Sequence, residues 1–170
     1  MRSFTLLCSS VVFCILILDG CDEGLNPNNV SEPGFGGSIT FVGSLPPADS
    51  LNDLRIVAVP YYPIDTLYQT LIIKVIEGVI PFSADIRSSV DSGKTVQYEM
   101  FLKPKIYYYV AIVQQYGQDV FSQWKVVSVY SVSPNDPSPK SLVIGDGKFT
   151  NNVNFTVDFY HLPPQPVRIH

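Results

Sequence analysis

The sequence is poor in the residues that build metal sites and nucleophilic active sites. It contains 3 cysteines, 2 histidines and 1 tryptophan in 170 residues. All three cysteines lie within the first 21 residues, and the histidines, His161 and His170, lie at the C-terminal end. A domain without cysteine has no disulfide framework and no thiolate zinc site, and a histidine near a chain end is poorly held for catalysis. We therefore expect no catalytic residue, no metal site and no cofactor, and the protein is predicted not to be an enzyme.

Basic residues and helix-forming residues are scarce as well. Lys and Arg number 11 against 15 Asp and Glu, which gives a net charge of -4. This balance argues against a nucleic-acid partner, because phosphate backbones are bound by basic surfaces. Ala and Glu number 4 each, whereas Val and Ile together number 35. Since β-branched residues favour strands, the composition predicts an all-β fold.

Residues 1–20 have the pattern of a secretory signal peptide. Arg2 precedes a run from Leu6 to Leu18 that is apolar except for two serines, and Asp19 ends the run. A membrane-spanning helix needs about 20 apolar residues to cross roughly 30 Å of hydrocarbon, so this run is too short. A charged start followed by a short apolar core is typical of an export signal. A retained N-terminal membrane anchor is the alternative.

The end of this segment, Leu18-Asp19-Gly20-Cys21, resembles the lipobox of bacterial lipoproteins. The resemblance implies that the Cys21 thiol is acylated, that the chain is cut before Cys21, and that the lipid bilayer is a partner. It also implies a location in the bacterial cell envelope, at the outer or inner membrane, with the domain in the periplasm or at the cell surface. Asp19 departs from the pattern, which usually has a small uncharged residue there. An ordinary signal peptide followed by an unrelated cysteine is the alternative.

Composition divides the rest of the chain into three parts. Residues 21–37 are rich in Gly, Pro, Asn and acidic residues, so they are predicted to form a flexible tether. Residues 38–162 alternate between apolar and polar positions and are predicted to form the β domain. Residues 163–170 form a Pro-rich C-terminal tail. Residues 67–80 are apolar on both faces, and their β-branched content favours a strand, with a short helix as the alternative.

About seven short strands separated by turn signals predict a two-layer antiparallel β-sandwich. The clearest alternation runs from Asn152 to Tyr160. A small closed barrel is the alternative. The stretch from Gly37 to Pro60, followed by residues 102–113 (LKPKIYYYVAIV), resembles the transthyretin-like and carboxypeptidase-regulatory-like sandwiches of exported bacterial proteins. Immunoglobulin-like domains without the disulfide fit nearly as well.

Aromatic residues give the main indication of binding. Tyr61, Tyr62 and Tyr116 lie in predicted loops, and Trp124 lies in the predicted strand 123–132; these four are the candidate ligand contacts. Aromatic rings with a polar edge suit sugars and protein partners. Within the run 107–109, alternation predicts that either the middle tyrosine or its two neighbours face solvent.

The predicted function is that of a membrane-anchored envelope lipoprotein whose β-sandwich has a non-catalytic structural or binding role. The partner is expected to be the bilayer, together with an envelope protein or a glycan. One alternative is a glycan-binding module that uses loop aromatics. A less favoured alternative is a hydrolase with a carboxylate pair drawn from Asp85, Asp91 and Glu99.

Overall fold

The computed structural model describes residues 31–64, 67–133 and 136–166. These residues form a β-sandwich with one α-helix packed outside it, which confirms the predicted all-β fold. The predicted signal peptide and Cys21 lie outside the described residues. Within those described ranges, no helix is long and apolar enough to span a membrane. The elements are β1 (Gly34–Val42), β2 (Asp53–Val59), α1 (Tyr68–Ile76), β3 (Thr95–Phe101), β4 (Lys105–Tyr107), β5 (Tyr109–Gln115), β6 (Trp124–Val129), β7 (Ser131–Ser133), β8 (Asp136–Pro139), β9 (Leu142–Ile144), β10 (Phe149–Thr150) and β11 (Phe155–Asp158).

The first sheet is built around β1. Strand β3 pairs with it antiparallel from Gly34 to Thr40, while β10 and β11 pair with it parallel. Because β3 occupies one edge of β1, β10 and β11 must follow each other along the other edge. The last two strands of the chain, β10 and β11, therefore pair with the first strand.

The second sheet has the order β2-β5-β6, and all of its pairs are antiparallel. Tyr108 alone separates β4 from β5, and β4 pairs with β9. In the same way Tyr130 separates β6 from β7, which pairs with β8. Residues 81–86 run beside β2 as an irregular edge, where the Ser83 N–H donates to the Ile56 carbonyl at 2.9 Å.

The main core fills the space between the two sheets. The longer strands contribute alternate residues to it, as the period of two requires. The largest apolar side chains that are completely or almost completely buried are Phe35, Phe41, Ile39, Leu54, Ile56, Ile112, Val110, Val127, Val153 and Val157. Burying each such side chain contributes about 1.5–3 kcal/mol.

The sandwich begins earlier than predicted. Strand β1 starts at Gly34, and Phe35 is fully buried in the main core. A Cβ atom on Gly37 would lie 2.4 Å from the Val153 carbonyl oxygen, so only glycine allows the neighbouring chain to come this close. Residues 34–37 therefore belong to the sheet, and the tether boundary at residue 37 was wrong.

The preference for a strand over residues 67–80 was also wrong, because residues 68–76 form α1. The helix ends in a Schellman motif. The Gly78 N–H donates to the Val75 carbonyl at 3.0 Å, and the Val79 N–H donates to the Lys74 carbonyl at 2.9 Å. Gly78 has a φ of 73°, which a residue with a side chain adopts only at a cost.

The proline-rich C-terminal segment is attached to the second sheet by a side chain. The Gln165 Oε1 accepts from the Val126 N–H at 2.8 Å, and the Gln165 Nε2 donates to the Val126 carbonyl at 3.0 Å. The primary amide thus replaces the backbone of a neighbouring strand, which the prolines of this segment could not provide. The described part of the tail is therefore packed on β6.

Candidate binding groove

An apolar groove lies on the outer face of the second sheet, between β2-β5-β6 and α1. It has a volume of about 230 Å³ and is lined almost entirely by aliphatic and aromatic side chains. A second apolar cluster surrounds it, separate from the main core. Its buried members are Val59, Ile64, Ile80, Tyr109, Ala111 and Val126. The outer face of this sheet is thus a second apolar surface that α1 covers in part.

Helix α1 contributes one side of the groove. Tyr68, Leu71, Ile72 and Val75 all line it. Their spacing of i, i+3, i+4 and i+7 places them on one face of a helix. None of the residues of α1 is fully buried, so the helix rests on the sheet without sealing it.

The sheet contributes the other side. Asp53, Arg55, Val57 and Val59 alternate along β2 and all line the groove. With a rise of about 3.3 Å per residue, the six steps from the first to the last of these span about 20 Å. The groove is therefore elongated and follows the length of one strand.

Two charged side chains lie at the Asp53 end. The Arg55 Nε donates to the Asp53 Oδ2 at 2.7 Å, and the Arg55 Nη1 donates to the Ser83 carbonyl at 3.1 Å. The guanidinium also lies 5.1 Å from the centre of the Phe82 ring. The second carboxylate oxygen, Asp53 Oδ1, is buried and has no hydrogen-bond partner among the described residues. The ion pair therefore leaves one carboxylate oxygen of Asp53 without a hydrogen-bond partner among the described residues.

Tyr109 is the most buried polar residue of the groove. It is 3% exposed, and its hydroxyl has no hydrogen-bond partner within the described ranges. Burial raises the pKa of Tyr109, and the nearby Tyr62 and Tyr68 raise it further, so the hydroxyl is un-ionised at neutral pH. An unpaired buried hydroxyl costs about 1–3 kcal/mol, which makes this group unusual in a folded protein.

The break in the strand at Tyr108 explains why Tyr109 faces the groove. Tyr107 is buried in the main core, whereas Tyr109 is buried in the second cluster on the other side of the sheet. Strict alternation would place both on the same face. Tyr108, between them, is 46% exposed. The prediction that either Tyr108 or its two neighbours face solvent is thus confirmed for Tyr108. The sequence did not predict that Tyr107 and Tyr109 lie on opposite faces of the sheet.

The four candidate contact residues lie in or around the groove. Trp124 lines it and donates from Nε1 to the Val120 carbonyl at 2.8 Å. Tyr62 is half exposed, and its ring stacks on Tyr109 with 5.7 Å between ring centres. Tyr61 packs against the second cluster. Burial raises the pKa of Tyr68, and the nearby Tyr116 raises the pKa of Tyr68 further.

The three candidate carboxylates have separate surroundings. Asp85 accepts a hydrogen bond from the Arg87 Nε at 2.6 Å, and Asp91 lies 2.9 Å from the Lys94 Nζ. Glu99 is exposed on β3. No group of three or more His, Cys, Asp or Glu residues capable of holding a metal occurs in the described part of the chain.

Comparisons of the chain with protein-family models, curated proteins and solved structures find no match. Functional proposals therefore depend on the geometry of the groove and on the residues of the signal segment. Sequence reasoning missed Tyr68, Tyr109 and the Asp53–Arg55 pair as groove residues. The helical spacing from Tyr68 to Val75 was the signal that could have identified the cover of the groove.

Proposed function

We propose that the protein is a lipid-anchored protein of a bacterial cell envelope, and that its β-sandwich is a non-catalytic binding domain. The binding site is the groove beneath α1. Acylation of Cys21 holds the domain at the bilayer, as the lipobox-like residues 18–21 imply.

One observation carries the binding role: an apolar groove is lined by Tyr109, whose buried hydroxyl has no hydrogen-bond partner among the described residues. Small-molecule sites are typically concave and apolar, with a few polar groups that fix the orientation of the ligand. A bound molecule that forms a hydrogen bond with the Tyr109 hydroxyl offsets the free-energy cost of burying that hydroxyl. Binding thus gives a physical reason for a feature that otherwise destabilises the fold.

The groove is favoured over a glycan site on the loop aromatics. Sugars stack on exposed aromatic faces. Tyr62 already stacks on Tyr109, and Trp124 lines the apolar groove with its ring nitrogen bonded to Val120. Trp124 is therefore part of the groove, and one face of the Tyr62 ring is covered by Tyr109.

Binding in the groove is tested with the uncharged fluorescent probe N-phenyl-1-naphthylamine. Val75→Phe places a larger side chain into the groove from α1, whereas Ile76→Phe makes the same kind of change at a position that is 73% exposed. We expect Val75→Phe to weaken probe binding about tenfold, which corresponds to about 1.4 kcal/mol, and Ile76→Phe to leave it unchanged. Equal binding by the parent protein and both variants would place the probe elsewhere and overturn the proposed site.

The lipid anchor is tested separately by metabolic labelling with a palmitate analogue. We expect the parent protein and Cys14→Ala to be labelled and Cys21→Ala to remain unlabelled. Cys14 is a matched control because it lies within the predicted signal peptide. Labelling of Cys21→Ala at the parent level contradicts the anchor.

A further inference from the structure

We infer that the ligand of the groove is an uncharged single-chain amphiphile, such as a long-chain alcohol or its ester, with its polar group at the Tyr109 hydroxyl. This inference rests on the proposed binding role of the groove. It adds the chemical class of the ligand and the orientation in which the ligand lies.

The shape of the groove favours a single extended chain. The groove follows β2 for about 20 Å. Asp53 and Arg55 lie at one end, and aliphatic residues of β2 and α1 line the rest. Val57 and Val59 lie on the sheet side, and Leu71, Ile72 and Val75 lie on the helix side. Each methylene transferred from water into such surroundings contributes about 0.8 kcal/mol. A linear hydrocarbon chain gains this along its whole length.

The Tyr109 hydroxyl requires a polar group on that chain. A phenolic hydroxyl both donates and accepts a hydrogen bond. An alcohol or ester oxygen accepts from it, and an alcohol can also donate to it. A pure hydrocarbon would leave the hydroxyl unpaired and would not recover the cost of burying it.

The charges of the groove argue against an anionic head group. Asp53 and Arg55 are the charged residues that line it among those the structure describes, and they pair with each other. Arg55 is further bonded to the Ser83 carbonyl, whereas Asp53 Oδ1 is unpaired. In the register of β2 with β5, Asp53 lies opposite Gln115 and Tyr109 lies opposite Val59, six residues along β2. A carboxylate head group placed at the Tyr109 hydroxyl therefore lies at the other end of the groove from Arg55 and meets no cation among the described lining residues. Burying its charge without a partner is strongly unfavourable.

The single tryptophan makes the test direct, because Trp124 itself lines the groove. The mature chain, residues 21–170 with Cys21→Ser, is titrated with 1-dodecanol and with dodecanoate while Trp124 emission is followed. The two probes have the same chain length and differ in head-group charge. We expect a saturable change with 1-dodecanol and binding of dodecanoate that is at least about tenfold weaker.

Two near-isosteric variants separate the two parts of the inference. Tyr109→Phe is expected to weaken 1-dodecanol binding about tenfold through loss of one hydrogen bond. Tyr98→Phe removes a hydroxyl from β3 of the first sheet, where Tyr98 packs against the main core, and is expected to leave 1-dodecanol binding unchanged. Asp53→Asn changes the other end of β2, opposite Gln115, so it is expected to leave the preference for 1-dodecanol over dodecanoate unchanged. A preference reversed by this substitution would place the head group beside Arg55 and overturn the stated orientation.

The possible outcomes distinguish this inference from the proposed function. Tighter binding of dodecanoate than of 1-dodecanol by the parent protein overturns the inference. Binding of N-phenyl-1-naphthylamine without binding of 1-dodecanol also overturns it, yet leaves the groove as a binding site. Failure of all three probes overturns both. Circular dichroism checks the fold of each variant, and if Tyr109→Phe does not fold, the response of Asp53→Asn decides the orientation of the ligand alone.

Discussion

Removing the Tyr109 hydroxyl is expected to stabilise the ligand-free protein. The hydroxyl is buried without a partner in the described residues, so Tyr109→Phe removes a desolvation cost of about 1–3 kcal/mol. The ring and its stacking on Tyr62 are retained. Tyr98→Phe is the matched control, because the Tyr98 hydroxyl donates to the Val153 carbonyl at 2.6 Å. Loss of that hydrogen bond is expected to destabilise the protein by about 1–2 kcal/mol.

The same chemical change is thus expected to have opposite effects at two positions. Urea unfolding, followed by circular dichroism, gives the free energy of unfolding of each variant. The difference between Tyr109→Phe and Tyr98→Phe is expected to be about 2–5 kcal/mol, well above the error of the measurement. If Tyr109→Phe loses as much stability as Tyr98→Phe, the Tyr109 hydroxyl is hydrogen-bonded in solution, and the reasoning about the groove is refuted.

Three further predictions test the fold. Phe35→Ala is expected to lower the free energy of unfolding, measured in urea, by about 3–5 kcal/mol. Phe101→Ala, at a position that is 50% exposed, is the control and is expected to lower it by under about 1 kcal/mol. Equal effects of the two substitutions would show that Phe35 is not part of the core. Gln165→Ala removes two hydrogen bonds to β6 and is expected to lower the free energy of unfolding by about 1–3 kcal/mol. The Val126 amide is expected to exchange its hydrogen faster in this variant. Unchanged exchange at Val126 would show that the tail is not attached there. Partial burial raises the pKa of the Asp85 carboxyl, but hydrogen bonds from neighbouring N–H groups outweigh it and hold the pKa below its ordinary value. A carboxyl whose pKa is lowered in the folded state stabilises the protein at pH values above its ordinary pKa, and this contribution is lost as the pH falls through the folded-state pKa. Asp85→Asn is therefore expected to reduce the fall in the free energy of unfolding between about pH 6 and about pH 3. An unchanged pH dependence of the free energy of unfolding would contradict this.

The sandwich could be predicted because its inner positions follow the period of two. Between Asn152 and Tyr160, the residues Val153, Phe155 and Val157 are buried and Thr156 is exposed, as the alternation indicates. Such a pattern is local and depends on one strand at a time. The parallel pairing of β11 with β1 joins residues that are far apart in the chain, and alternation contains no information about it.

The start of β1 was missed because its composition is that of a spacer. Glycine at positions 36 and 37 suggested flexibility, yet both positions are closely approached by backbone. A Cβ atom would lie 2.7 Å from the Tyr98 carbonyl oxygen at Gly36 and 2.4 Å from the Val153 carbonyl oxygen at Gly37. A sequence does not show whether a glycine serves flexibility or close approach.

Helix α1 was missed because two sequence signals disagree. The β-branched content of residues 67–80 favours a strand, whereas the spacing from Tyr68 to Val75 is helical. Ile73 and Ile76 obscured the spacing by adding apolar residues to the exposed side, where they are 48% and 73% exposed. The groove itself could not be predicted, since β2, α1, β5 and β6 come together only in the folded chain.

The most direct test of the binding groove is nuclear magnetic resonance of residues 21–170, with Cys21→Ser, in the presence of 1-dodecanol. Intermolecular nuclear Overhauser effects report which protein protons lie beside the alkyl chain. We predict contacts from the chain to the Tyr109 and Trp124 rings and to the Leu71 methyl groups, which line opposite sides of the groove. Contacts confined to residues outside the groove, or none at saturating 1-dodecanol, would contradict the account.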